Sequence, residues 1–106
     1  MVKRLIWTNR YYGSLRSIAL NAGDVYSKGI VRQLRAEIKR KCELLKHNSL
    51  MGSLEPALFG MKYEYRFLLV KPYFKIIYRI ENETIFIITV WDTRRAPERL
   101  MRYLTS

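Results

Sequence analysis

The apolar residues change their spacing near residue 63, and this change constrains the fold more than any other feature. Before it, apolar residues recur every three or four positions, which is typical of helices. After it they alternate, which is typical of strands, in the segments 63–71, 73–80 and 84–91. A short polar sequence, Glu81-Asn82-Glu83, joins the last two segments. We therefore predict that these two form an antiparallel hairpin.

Two helices are predicted before the alternating region. Thr8 or Asn9 can cap the first helix, whose apolar face contains Tyr11, Leu15, Ile18, Ala19 and Ala22. Gly23 is suited to end it, and Asp24 to cap a second helix from Val25 to Lys46. The stripe of that second helix expected to be buried is Val31, Leu34, Ile38, Cys42 and Leu45.

A strand-like segment at residues 2–8 completes the predicted order of elements. We expect an α+β protein in which this N-terminal strand and a two-helix hairpin pack on a small antiparallel sheet. The chain has 106 residues, which suits a single domain over residues 1–106 with one modest core. The loop at residues 46–56 is too short to separate two domains.

Cysteine, histidine and hydropathy exclude several classes of protein. The single cysteine, Cys42, rules out an internal disulfide and favours a reducing compartment. The single histidine, His47, has no second histidine and no cysteine beside it, so we expect no metal and no other cofactor. No apolar run is long enough for a signal peptide or a membrane span, so we expect a cytoplasmic protein that binds no membrane.

The chain is strongly basic, with 20 Lys and Arg against nine Asp and Glu and a formal net charge of +11. Such an excess repels itself in the compact state, so it favours a nucleic acid or an acidic protein as partner. Solubility alone is the alternative. Part of the excess lies at helical spacing on the second helix, at Lys28, Arg32, Arg35, Lys39 and Lys46. This face is either ordinarily solvated or in contact with a polyanion.

Alternation divides the predicted sheet into two faces. The face packed against the helices is predicted to contain Phe74, Ile76, Tyr78, Ile80, Phe86, Ile88 and Val90. The other face is predicted to be open and to contain Tyr73, Lys75, Ile77, Arg79, Ile85, Ile87, Thr89 and Trp91. Basic and aromatic groups on an open sheet suit phosphate contact and base stacking. Alternatively, the long cations lay their stems on the sheet and reach water.

The order of elements resembles the RelE/ParE family of bacterial toxins from type II toxin–antitoxin modules, which includes plasmid stabilisation proteins. The resemblance covers nearly the whole chain and is sharpest over residues 70–97. There a Tyr, a basic residue, an aliphatic pair and a second Tyr, here Tyr73 to Tyr78, precede a polar turn and a strand that ends in Arg94 and Arg95. Residues 50–56 resemble the family's loop between helix and sheet. The resemblance implies a toxin that is neutralised by a small, acidic antitoxin wrapped around its surface.

The family divides by target, and the fold does not decide between its branches. RelE-like members cleave mRNA in the ribosomal A site, whereas ParE-like members lack RNase activity and poison DNA gyrase. We expect a ribosome-dependent mRNA endonuclease that works without metal and blocks translation, with the ribosome and mRNA as partners. The alternative is a non-enzymatic inhibitor of DNA gyrase.

On the endonuclease reading, attack of a 2′-hydroxyl on phosphate needs a proton acceptor, a proton donor and cations. RelE-like toxins supply these largely with Lys, Arg and Tyr, and the resemblance assigns catalysis here to Arg66, Lys75, Arg94 and Arg95. The nucleic-acid-binding residues are predicted to be Lys28, Arg32, Arg35, Lys39, Tyr73, Arg79 and Trp91.

Two departures from the RNase pattern favour the gyrase alternative. Several RNase members carry a histidine at the end of the last strand, where this chain has Trp91-Asp92-Thr93. The lysine pair of their first sheet strand is absent too, because the segment 63–69 offers only Arg66 as a cation.

Overall fold

The computed structural model describes residues 2–21 and 27–105. Its strands and helices are β1 (Arg4–Trp7), α1 (Asn9–Asn21), α2 (Ser27–His47), β2 (Ser53–Leu54), β3 (Arg66–Val70), β4 (Phe74–Glu81), β5 (Thr84–Asp92) and α3 (Glu98–Thr105). The predicted α+β class is confirmed. The predictions made for Ala22, Gly23, Asp24 and a helix start at Val25 fall outside the described residues.

The described strands form one sheet in the order β1-β5-β4-β3-β2. Neighbouring strands from β2 to β5 are antiparallel, as predicted for the hairpin of β4 and β5. β1 lies parallel to β5 at one edge of the sheet, so the N-terminal strand extends the sheet and makes it mixed. β2 is a strand of two residues, Ser53–Leu54, that the sequence pattern does not indicate.

Thr8 couples the start of α1 to the sheet. Its Oγ1 accepts a hydrogen bond from Tyr11 N at 3.2 Å, which is the predicted N-cap. The same hydroxyl donates to Ile87 O on β5 at 2.8 Å. One turn later, Ser14 Oγ accepts from Val90 N at 3.0 Å, and the buried face of α1 is thereby held along β5.

The buried stripe of α2 agrees with the helical spacing of its apolar residues. Leu34, Ile38, Cys42 and Leu45 are buried in the core between the helices and the sheet. Burial raises the pKa of the Cys42 thiol to about 12, so the thiol is protonated at neutral pH and is a core group.

One extra residue in β5 breaks the alternation of its side chains. Ile77 of β4 pairs with Thr89, but the next residue, Tyr78, pairs with Ile87. Ile88 is therefore left without a partner, as in a β-bulge, where two residues of one strand lie opposite one residue of the other.

The bulge changes which residues of β5 face the helices. Ile85 and Ile87 pack in the helix-side core, while Ile88 packs on the opposite face of the sheet. Phe86 lies opposite Arg79 and contacts its guanidinium, also on that second face. The prediction for these four residues is wrong, because a strict period of two cannot register one inserted residue. Val90 lies beyond the bulge and faces the helices as predicted.

The second face of the sheet is covered. The 3-10 turn Pro56–Leu58 and α3 pack on it and form a second small core around Leu58, Ile77, Trp91 and Leu100. Arg10 Nη1 donates to Tyr103 O at 2.7 Å and so holds the last turn of α3 against α1. The prediction of an open face is wrong here, because the C-terminal residues form a helix whose apolar side needs a partner.

The loop after α2 is held by a buried tyrosine. Tyr78 accepts a hydrogen bond from Gly52 N at 3.0 Å and donates one to Ser49 O at 2.8 Å. A Cβ atom at Gly52 would lie 2.6 Å from the Tyr78 hydroxyl and 2.6 Å from Phe67 O. The close approach of this loop to β3 and β4 therefore requires glycine.

A candidate binding site at the end of the sheet

A cavity of about 360 Å³ lies where the ends of β4 and β5 meet α1 and the start of α2. Four residues predicted from the sequence line it, namely Tyr73, Trp91, Arg94 and Arg95. Asp92, named in the sequence analysis only as part of the segment without a histidine, lines it too, and so do Ser14, Ser17 and Asn21, which the sequence did not single out. Ser17 and Asn21 follow Ser14 along α1, so a polar flank beside the apolar stripe was the available signal.

Arg94 is fixed at the mouth of this cavity by a carboxylate and a ring. Its Nη2 and Nε donate to the two oxygens of Asp92 at 2.8 and 3.1 Å, and its backbone N donates to Asp92 Oδ1 at 2.9 Å. The guanidinium lies 3.7 Å from the centroid of the Tyr73 ring. These hydrogen bonds lower the pKa of Asp92 and raise that of Arg94.

Arg95 and Trp91 form a second stacked pair beside the first. The Arg95 guanidinium lies 4.5 Å from the centroid of the Trp91 ring. Trp91 itself is only 3% exposed and packs against Tyr103 at a centroid distance of 5.9 Å. A base cannot stack on a ring that is buried to this extent, so the predicted stacking role of Trp91 is not compatible with the structure. The exposed group of the pair is the guanidinium.

Lys75 lies away from the cavity wall, in a buried ion pair. Its Nζ contacts Glu55 Oε1, which has no other donor, and Glu55 is only 2% exposed. Glu55 also caps the 3-10 turn by accepting from Ala57 N at 3.4 Å. The pair therefore holds this turn over the second face of the sheet. Glu55 was missed in the sequence, although an acid directly before Pro56 is a signal for a capped turn.

Arg79 is likewise occupied by neighbours within the chain. Its guanidinium lies between the rings of Tyr63 and Phe86, at 4.1 and 4.3 Å from their centroids. Its Nη1 is 2.9 Å from Glu81 Oε2. The basic groups on this face thus have aromatic and acidic partners within the chain, and they are engaged neither with open solvent nor as free phosphate contacts.

Arg66 and Lys75 face opposite sides of the sheet. Arg66 pairs with Tyr78, whose ring is in the helix-side core, whereas Lys75 pairs with Trp91 on the second face. Arg66 Nη1 donates to Gly52 O at 2.8 Å and so supports the loop before β2. The predicted catalytic set is therefore divided, and only Arg94 and Arg95 share one cavity.

Three cations of α2 form no ion pair within the described residues. Arg32, Arg35 and Lys39 are exposed, and no carboxylate among the described residues pairs with them. Seven of the eight carboxylates in residues 2–21 and 27–105 are already in ion pairs with other cations. The backbone of Lys28 lies in α2, but its side chain is outside the described residues.

The described residues also limit what else the chain can hold. None of their helices is long and apolar enough to cross a membrane. They contain no group of three or more His, Cys, Asp or Glu side chains that could hold a metal ion.

A sheet with a two-helix hairpin on one face and a short C-terminal helix on the other is the fold of RelE/ParE toxins. Residues 5–97 match the family described as ParE toxin of type II toxin–antitoxin system, parDE. The chain belongs to this family, and as a type II toxin it has a cognate antitoxin as partner.

One solved structure shows the fold independently. A chain from the chromosomal ParDE toxin–antitoxin system of P. aeruginosa is similar, with a TM-score of 0.66 and 16% sequence identity. The match covers 86% of this chain and 96% of that chain. The comparison with curated proteins gives no match.

Proposed function

We propose that this toxin acts by binding DNA gyrase and inhibiting it, without catalysing a reaction. The observation that carries the proposal is the separation of the cations that RNA cleavage would need. Arg66 and Lys75 lie on opposite faces, and Lys75 is in a buried ion pair with Glu55. Membership of the ParE family supports the same choice.

The acid–base chemistry of the cavity also favours binding. A general base works best when its pKa lies near the operating pH. Asp92 is the carboxylate of the cavity wall, and Arg94 occupies both of its oxygens and lowers its pKa. Asp92 is therefore a poor proton acceptor.

Two surfaces are proposed to contact the gyrase–DNA complex. The cavity offers the Arg95 guanidinium and the Arg94–Tyr73 pair, which are suited to bind an acidic or aromatic side chain of gyrase. The unpaired cations of α2, Arg32, Arg35 and Lys39, suit the phosphates of the DNA that gyrase holds.

The charge of +11 keeps the ribosome-dependent endonuclease as a second candidate. On that reading the same α2 cations contact ribosomal RNA, and Arg94 and Arg95 contact the mRNA phosphate. Arg94 would then have to leave Asp92, because its donors are occupied.

The experiment measures both activities with the same preparation of toxin. Purified toxin is added to gyrase with relaxed plasmid, and in parallel to ribosomes programmed with one mRNA. We expect loss of supercoiling and an intact mRNA. Cleavage of the mRNA together with unchanged supercoiling would replace the gyrase proposal by the endonuclease.

A further inference from the structure

The two arginines that follow β5 differ in the partners that the chain offers them. Arg94 has the ring of Tyr73 on its face, and its Nε and Nη2 donate to the two oxygens of Asp92. Arg95 has the ring of Trp91, with 4.5 Å between the guanidinium and the ring centroid, but no ion pair within the described residues. In the described part of the cavity wall, Arg95 is therefore the arginine whose charge has no carboxylate beside it.

Trp91 is a fixed support for this guanidinium. Its side chain is 3% exposed and packs in the second small core. Tyr103 of α3 contacts it at a centroid distance of 5.9 Å, and Arg10 Nη1 donates to Tyr103 O at 2.7 Å. A cation that lies on an immobile ring keeps one plane, so little conformational entropy remains to be lost when it binds a partner.

Stacking uses the flat side of the guanidinium and leaves its edge for a partner. The five N–H donors of an arginine lie in the guanidinium plane, in a fork that matches the two oxygens of a carboxylate. Arg95 is exposed and lines the cavity, so a carboxylate can reach it from outside. Hydrogen bonds between two charged groups of this kind are about twice as strong as neutral ones.

The charge of the cavity fits one carboxylate. Its charged residues among those described are Arg94, Arg95 and Asp92, two cations and one anion, so one positive charge remains. The wall also contains four apolar side chains, namely Ile18, Ile30, Phe74 and Val90. The methylene groups of a glutamate can pack on these side chains, whereas a nucleic-acid phosphate has no apolar group to place there.

Size and net charge narrow the choice of occupant further. The cavity of about 360 Å³ is near the lower end of ligand pockets, which span about 300–1,000 Å³, so it has room for a side chain of a partner. A second copy of the chain would carry the same charge of +11, and like charges at an interface disfavour association. An acidic side chain of a different protein fits the cavity best.

We propose that Arg95 binds the carboxylate of one acidic side chain of gyrase, with Trp91 as the positioning residue that holds its guanidinium for this contact. The methylene groups of the acidic side chain pack on the apolar wall of the cavity. Arg94 stays on Asp92 and forms part of the wall. The inference rests on the proposed inhibition of gyrase and names the chemical group that the cavity binds.

The test is the dissociation constant of the full-length toxin with purified gyrase in the absence of DNA, so that no nucleic-acid phosphate is present. Arg95→Lys keeps the charge but loses the planar fork and the stacking, and we expect the constant to rise about tenfold. Arg95→Gln loses the charge as well and should raise it about a hundredfold. The matched controls are Arg99→Lys and Arg99→Gln on α3, an exposed arginine outside the cavity wall, and both should equal the wild type.

The role of Trp91 is tested through Arg95, because Trp91 is also a core residue. Trp91→Phe keeps a ring beneath the guanidinium and should retain most of the affinity. Trp91→Leu removes the ring, and we expect about a tenfold loss with Arg95 present and no further loss in combination with Arg95→Gln. Equal losses with and without Arg95 would overturn the positioning role.

Wild-type affinity in Arg95→Lys would overturn the inference, because charge alone would then be sufficient, and so would an equal loss in the Arg99 variants. Binding that requires added DNA would assign the contact to a phosphate and would overturn it too, while the proposed function stands. If the wild type binds gyrase in an Arg95-dependent manner yet leaves supercoiling unchanged, the proposed function fails and this inference stands. A wild type that neither binds nor inhibits gyrase contradicts both.

Discussion

The basic residues of the sheet and those of α2 are alike in the sequence and differ in the structure. Lys75 and Arg79 each have a carboxylate and at least one aromatic ring as neighbours. Arg32, Arg35 and Lys39 form neither an ion pair nor a cation–π contact among the described residues. The comparison teaches that a basic residue indicates a partner-binding surface only where no carboxylate of the same chain pairs with it.

The cause of the difference is geometric. A sheet places residues from distant segments side by side, so a lysine on β4 meets a glutamate from the loop before Pro56. A surface helix offers mainly its own neighbours at three and four residues. On α2, Glu37 and Glu43 are taken by Arg40 and Lys46 at those spacings, and the other cations remain unpaired.

The largest expected effect comes from breaking the buried pair on the sheet. Glu55→Ala leaves Lys75 buried without a counter-charge, and we expect a loss of about 3–5 kcal/mol in the free energy of unfolding. The measurement is urea denaturation. The double variant Glu55→Ala/Lys75→Met should recover much of the loss, because no charge is then left buried. A loss below about 1 kcal/mol in the single variant would show that Lys75 reaches water.

A smaller effect is expected at Arg79, whose head group lies between two rings and beside Glu81. Arg79→Ala should lower the free energy of unfolding by about 1–2 kcal/mol through lost packing and cation–π contact. Arg32→Ala on α2 is the matched control and should stay within about 0.5 kcal/mol of wild type. Equal losses in the two variants would remove the distinction between the two regions.

The cations of α2 should affect binding instead of stability. Arg32→Gln/Arg35→Gln is expected to weaken gyrase inhibition about tenfold at low salt, with less difference at high salt. Arg99→Gln/Arg102→Gln removes the same charge from exposed residues of α3 and should have little effect. If the α3 variant weakens inhibition equally, total charge matters and the α2 face has no special role.

The smallest effect is expected from the exposed pair Asp92–Arg94. The pKa of Asp92 is lowered in the folded state, so its contribution to stability is present above the unfolded pKa, about 3.9, and is lost as pH falls through the folded value. Asp92→Asn should cost less than about 1 kcal/mol at pH 7, because Arg94 is largely exposed. The difference from wild type should vanish near pH 2 in denaturation experiments. A difference that persists there would assign the effect to packing.

The sequence predicts those parts of the fold that repeat a simple period. The stripe of α2 and the hairpin of β4 and β5 follow from spacing alone, and the cap at Thr8 from residue type. Arg94 and Arg95 were singled out through the family resemblance and Tyr73 as an aromatic residue beside basic ones, and all three line the cavity.

The remaining features depend on contacts between distant residues. Glu55 lies 20 positions before Lys75, and nothing in either segment indicates that they meet. The burial of Trp91 depends on α3, whose apolar side is evident only once the second face of the sheet needs a cover. Periodicity describes each strand separately, so it could not place Arg66 and Lys75 on opposite faces.

The bulge at Ile88 changes, within the single strand β5, which residues face the helices. Residues before it present odd-numbered side chains to the helices, and residues after it present even-numbered ones. A relative that lacks this one residue needs no bulge, so its strand alternates regularly while the residues that match Ile85, Ile87 and Val90 still face the helices. When toxins of this family are aligned to design chimaeras, a gap belongs at position 88, because a gap placed elsewhere in the strand would graft surface residues into the core.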